Sequence, residues 1–173
     1  MRVRFSVLVL ALLALAALAS CGGKGPDWRI VQLYGGRGSV SALTDPTRVE
    51  AYRIGPIPVG VEPGVDRLGI HPIVRGPIAV PDELVAELSA ALISPDTYDW
   101  ALAKICEFRP GVGLRFTREV SRVDIALCFE CDMLTIHRHG KRIGSQNFDD
   151  ARATFVNAVK RLFPDDEDIQ ALE

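Results

Sequence analysis

Apolar positions along the chain fall into stretches of different period. From Phe5 to Ala19 they run almost unbroken, interrupted only by Ser6. Residues 21–46 carry little pattern and are rich in Gly, Ser and Pro, with Gly35-Gly36-Arg37-Gly38 as a flexible point. They read as a tether followed by a lead-in segment without fixed elements. Thr47 to Ile54 carries Val49, Ala51, Tyr52 and Ile54, and its β-branched and aromatic content predicts a strand. Prolines then stand at 56, 58, 63, 72, 77 and 81. That density forbids helix and confines strand to edges or short extended pieces, of which Ile70 to Val80 supplies one or two.

The period changes to helical at Pro81-Asp82-Glu83, where proline suits a first turn and the acids suit the positive end of the helix dipole. Leu84, Val85, Leu88, Ala91 and Leu92 form the apolar stripe, and Ser94-Pro95-Asp96 stops it. Tyr98 to Ile105 fits either a short helix or an irregular turn. Val112–Arg118 and Arg122–Phe129 flank Glu119-Val120-Ser121 as a hairpin, with Val123, Ile125, Leu127 and Phe129 on one face. Beyond Met133 the apolar parity shifts to Leu134 and Ile136, which calls for a bulge or tight turn at Glu130–Met133. Another hairpin turns at His139-Gly140-Lys141 and returns through Arg142–Asn147. A closing helix, capped by Asn147 or Asp149, buries Ala151, Phe155, Val159, Leu162 and Phe163 before Pro164. Asp165 to Asp168 open a last short helix through Leu172, their charge serving the dipole and a solvated face rather than a calcium loop. Strands in the middle with helices on either side predict an α+β fold, a mostly antiparallel meander with helices on one face, over a single domain at 47–173.

Charge and the leader change the picture. Arg2 and Arg4 precede the apolar run, and small residues end it at Leu18-Ala19-Ser20, immediately before Cys21. A basic tip, a short apolar stretch and a small-residue cut site describe an export signal. With the cysteine in place, residues 18–21 resemble a bacterial lipobox. Resemblance to bacterial lipoproteins implies removal of residues 1–20, lipidation of Cys21 and retention on a membrane of the cell envelope. Gly22 after the cysteine points to the outer membrane in a two-membraned cell. A plain signal peptide cut after Ser20 and an uncleaved anchor are the alternatives, although the apolar run is shorter than the about 20 residues of a spanning helix. Removing residues 1–20 takes away two of the 20 basic residues and none of the 22 acidic ones, leaving 153 residues with net charge −4. That balance lacks the footprint of a nucleic-acid binder. The expected partners are the membrane, through Cys21, and an envelope protein.

With Cys21 committed to lipid, the body keeps Cys106, Cys128 and Cys131. In an exported protein a structural disulfide is the first reading. Pairing residues around the Val120-Ser121 turn brings Cys131 nearer to Cys106 than Cys128, favouring Cys106–Cys131, which would contribute about 3 kcal/mol. The competing reading is a zinc or copper(I) site drawing on Cys106, Cys128, Cys131, His137 and His139, since Cys128-x-x-Cys131 precedes His137-x-His139. A redox pair is the third. His71, before Pro72, reads as a turn or surface residue, and His137 and His139 as solvated residues near a hairpin tip. No nucleophile elbow, P-loop, dinucleotide fingerprint or His-Glu-x-x-His is present. No cofactor is called for.

Cys106-Glu107-Phe108-Arg109-Pro110-Gly111-Val112, running into Leu114-Arg115-Phe116, is similar to stretches of uncharacterised bacterial lipoproteins. Leu127-Cys128-Phe129-Glu130-Cys131-Asp132 and the Phe148-Asp149 … Leu162-Phe163-Pro164 end are similar too. The resemblance covers residues 47–173 and implies a shared domain without an activity. The expectation is thus a membrane-anchored interaction or structural module, with a metal-binding or thiol-redox lipoprotein as the alternative.

Overall fold

A computed structural model describes residues 25–57, 64–101 and 104–173. Cys21 and the leader lie outside the described residues. Among the described residues the architecture is α+β, a curled seven-stranded antiparallel sheet with five α-helices. In chain order these are α1 (Trp28–Leu33), α2 (Arg37–Thr44), β1 (Arg48–Ile54), β2 (Arg67–Leu68), β3 (His71–Ala79), α3 (Asp82–Ile93), β4 (Val112–Arg118), β5 (Ser121–Cys128), β6 (Met133–Arg138), β7 (Lys141–Asn147), α4 (Arg152–Leu162) and α5 (Glu167–Gln170). The sheet order is β2-β3-β1-β4-β5-β6-β7. Strands β4 to β7 are joined by hairpins, and β1 pairs with both β4 and β3.

The parity shift after Phe129 comes from a four-residue turn, Phe129 to Asp132, which reverses the chain between Cys128 and its partner Met133. Asp132 takes a left-handed backbone there (φ 52°). The proline-rich stretch yields β3, longer than expected but irregular. Ala51 pairs with Ile78 and Arg53 with Arg75, so β3 carries one more residue than β1 in that interval, around Gly76-Pro77. A proline has no N–H for the ladder, and the ladder skips it. Between the short 3-10 turn Pro95–Thr97 and β4, the described residues hold no helix, so Tyr98–Ala101 is irregular.

The lead-in segment departs from expectation. Residues 28–44 form two helices rather than extended tether, and Ile30, Tyr34, Val40, Ala42 and Leu43 are buried in the main core. Tyr34 Oη lies 2.8 Å from Tyr98 Oη, and Tyr98 donates to the Leu92 carbonyl at 2.7 Å. Glycines at 35 and 36 separate two short helices instead of dissolving them, because tertiary burial outweighs weak helix propensity. The folded body therefore includes residues 28–44.

Alternate residues of the central strands build that core. Val49 and Ala51, Val112, Leu114 and Phe116, Val123, Ile125 and Leu127, and Leu134 and Ile136 join Leu43, Leu84, Leu88, Phe155 and Val159 in one cluster. At the end of the chain, Asp166 ties α5 to the sheet. It accepts from Arg53 and Arg75 at 2.9 Å each, and its other oxygen caps α5 by accepting from the Ile169 N–H at 3.2 Å. One member of the acidic run is thus a half-buried ion-pair partner as well as a cap.

Candidate functional site

The residues of opposite parity build something different. Cross-strand register lines up Glu50 with Arg115, Arg115 with Asp124, Asp124 with His137, and His137 with Arg142. Five strands therefore carry one transverse row of ionisable side chains. Directly opposed residues sit about 5 Å apart, so neighbours of opposite charge can engage. At the centre Arg115 grips Asp124 with a two-pronged fork, Nε to Oδ1 at 2.7 Å and Nη2 to Oδ2 at 3.1 Å. The guanidinium also donates to the Arg67 carbonyl at 3.1 Å and lies 5.3 Å from the Tyr52 ring centroid. Tyr52 in turn donates to Glu50 at 3.1 Å.

The row is roofed by the β2–β3 hairpin. Its turn, Gly69-Ile70, lies against the sheet, and the Gly69 N–H donates to Asp124 Oδ2 at 3.0 Å. Two glycines make this approach possible. Gly69 has φ +60°, and a Cβ there would come within 2.5 Å of the His137 ring; a Cβ on Gly113 would meet the Leu68 side chain at 2.8 Å. Leu68, Tyr52, Ile54 and Ala126 then form a small second core beneath the hairpin. Asp124 ends 2% exposed. A charge that far from water persists only when paired and hydrogen-bonded, as it is here.

Two of the three histidines meet in the same place, although His71 is expected at a turn or the surface and His137 in solvent. His71 opens β3 opposite Leu68 and is 2% exposed; His137 is fully buried. Their ring centroids are 5.7 Å apart in a T arrangement, with Phe108 5.9 Å from His71. The hairpin folds inward instead of standing in solvent, and this buries both. Burial pushes His71 down to about 4, helped by the neighbouring His137 and opposed by a hydrogen bond to the Gly55 backbone. Burial also lowers His137, against the pull of Asp124 and with the push of Arg142. Both imidazoles are therefore neutral near pH 7. His137 Nε2 shares a 2.9 Å hydrogen bond with Thr135 Oγ1, while the Nδ1 atoms of both rings are buried without a partner. Asp, His and Thr have the makings of a relay, but not its connectivity: Asp124 is engaged by Arg115 and Gly69, not by His137 Nδ1. Thr135 is buried as well.

The cysteines lie elsewhere. Cys106 and Cys131 are joined as a disulfide with Cα atoms 6.2 Å apart, and Cys128 is a free, buried thiol. Cys106 is exposed while Cys131 is buried. Lys104 Nζ braces the turn by donating to the Cys131 carbonyl at 2.8 Å. The proposed metal ligands do not converge. Two of the thiols are in the bridge, His137 is under the roof, and His139 stands exposed in the β6–β7 turn with φ 49°. Among the described residues no three His, Cys, Asp or Glu side chains come together as a metal site. The ionic row escaped the sequence reading because it depends on register across five strands. The visible signal was polar parity, Arg115, Asp124 and His137 alternating with apolar residues.

The chain matches no protein-family model, no curated protein and no solved structure.

Proposed function

We propose that this chain is an exported protein of the cell envelope, anchored by acyl chains on Cys21, whose body is a binding or structural module rather than a catalyst. The observation that carries the reading is the Cys106–Cys131 disulfide. Such bridges persist in oxidising compartments, to which a basic and apolar leader ending in Leu18-Ala19-Ser20-Cys21 would deliver the chain. A single acyl chain binds a membrane only marginally, so a stable anchor needs more than one. In a two-membraned cell the location is the outer membrane, and the partner is another envelope protein. The Arg115–Asp124 pair fits a structural part in this scheme, since its charges are spent on each other and on the backbone of the hairpin above them. We also infer that the helices form one layer over a single face of the sheet. The clustering of Leu43, Leu84 and Phe155 with alternate strand residues supports it.

Replacing Cys21 with Ser is the test. It is expected to abolish lipid labelling and release the protein from membranes. Retention of an unprocessed Cys21→Ser chain would replace the proposal with an uncleaved anchor. Thiol chemistry or metal binding at Cys106, Cys128 and Cys131 is a second reading, favoured by one observation: the Cys106 half of the bridge is exposed to reductants. Thiol titration of native protein separates the two. One thiol from Cys128, reactive only after unfolding, supports the module. Two more thiols appearing reversibly at an accessible potential, or stoichiometric bound zinc, supports the second reading.

A further inference from the structure

The chain contains two tryptophans, and both lie on one face. Trp28 opens α1 and is 70% exposed. Trp100 lies across a groove of about 410 Å³ that Trp28, Arg29, Leu33 and Gln146 also line. Trp100 is fixed: its Nε1 donates to the Pro95 carbonyl at 2.8 Å and its ring packs edge-on against Tyr98 at 5.4 Å. The Arg29 guanidinium lies 5.0 Å from the Trp100 centroid and is held there by Asp27, which accepts from Nε and Nη2 at 3.1 Å each. The result is a preformed surface of two indoles and one guanidinium.

We propose that this face rests on the lipid headgroups of the membrane that holds Cys21, so that the domain has one defined orientation on it. The inference builds on the lipid-anchor reading and adds a surface to it. Six residues separate Cys21 from Trp28, and a fully extended chain spans at most about 3.6 Å per residue. Trp28 is therefore never more than about 25 Å from the acylated cysteine. That reach is less than the breadth of the domain itself, whose radius of gyration at this length is about 15 Å. The membrane is thus a large surface that stays within reach of α1. Indoles suit that boundary, with an apolar body and a polar N–H. Asp27 neutralises Arg29, so the attraction is to the interface as such and does not require anionic lipid.

Tryptophan fluorescence reports on this face alone. The full-length chain, purified with its native Cys21 modification, is reconstituted into phosphatidylcholine vesicles with and without bromine on shallow acyl carbons. Blue-shifted emission, quenched at least twofold by the brominated lipid and with less quenching in Trp28→Phe, where Trp100 alone remains, is the expected result. A chain that floats with the vesicles but whose tryptophans are not quenched overturns this inference alone, and is what a protein-docking groove would give. A chain that does not float with the vesicles overturns the anchor reading and this inference together.

Discussion

Strands β4 and β5 present the same register to two different interiors. On one face Leu114 opposes Ile125 and Phe116 opposes Val123, and all four are apolar and fully buried. On the other, Arg115 opposes Asp124 one residue away, and Asp124 is nearly as inaccessible. Burial is alike, but the energetics are not. An apolar face loses stability in proportion to the volume removed, and its neighbours can relax into the gap. A polar face fails by the pair, because removing one partner strands the other without water. The first tolerates variation and gives bulk stability. The second holds the β2–β3 hairpin in one position and penalises any single loss.

The largest effect expected from this contrast is at the ion pair. Arg115→Met should cost about 3–5 kcal/mol in urea unfolding at pH 7, as much as or more than Leu114→Ala, because Asp124 is left charged and buried. Adding Asp124→Leu should then recover much of the loss, leaving mainly the orphaned Gly69 N–H, about 1–3 kcal/mol. No second substitution at Ile125 would rescue Leu114→Ala in this way. If Arg115→Met alone costs under about 1 kcal/mol, Asp124 is solvated and the two faces do not differ as argued.

Acid probes the same face without mutation. The His71 ordinary value is 6.5, and in the fold it is about 4. Between those values the unfolded chain binds a proton that the folded chain does not, so stability rises with pH there. The contribution is whole above about pH 6.5, falls as pH drops, and levels off below about 4. The full loss is about 3 kcal/mol for His71. His137, also lowered by burial, acts in the same direction. Chemical denaturation from pH 7.5 to 4 should show this slope in the native protein and a shallower one in His71→Leu. An identical slope in both would mean that His71 is solvated.

A third effect tests the roof. Gly69→Ala places a Cβ against the His137 ring in a backbone conformation that disfavours side chains, and should cost about 1–3 kcal/mol. Adding His137→Ala removes the ring but leaves the Cβ of residue 137 within 2.9 Å and the backbone strain in place, so only part of the cost should return. Full additivity would mean that the hairpin does not lie on His137.

The two faces also differ in how far they were legible. Val123, Ile125 and Leu127 announce a buried face by period alone, and the hairpins at 119–121 and 139–141 follow from parity and turn residues. The Cys106–Cys131 pair follows from counting residues around one turn. What parity could not reveal is whether the polar side faces water. That depends on a Gly-rich hairpin folding back across the sheet, which rests on Gly69 and Gly113 making room, a steric fact set by partners 40 and more residues away. Pattern alone therefore places His71 at a turn or the surface and His137 in solvent. The segment at 28–44 was missed for a related reason. Its helices are too short to register as periodic and owe their stability to tertiary packing, as at Tyr34 and Tyr98.

The smallest effect separates the faces most cleanly. Thr135 and Ile136 are neighbours on β6, both buried, pointing to opposite interiors. Thr135→Val exchanges a hydroxyl for a methyl and Ile136→Val removes one methylene, and each should cost about 1 kcal/mol. The magnitudes agree, so the difference must be read from coupling. In a His137→Phe background the hydrogen bond to Thr135 Oγ1 no longer exists, and the Thr135→Val cost should shrink by at least about 0.5 kcal/mol. The Ile136→Val cost should be unchanged, because that side chain packs into the main core and makes no contact that depends on the imidazole. Zero coupling at Thr135 would mean that it and His137 are held by shape alone, and the polar face would then obey the rule of the apolar one.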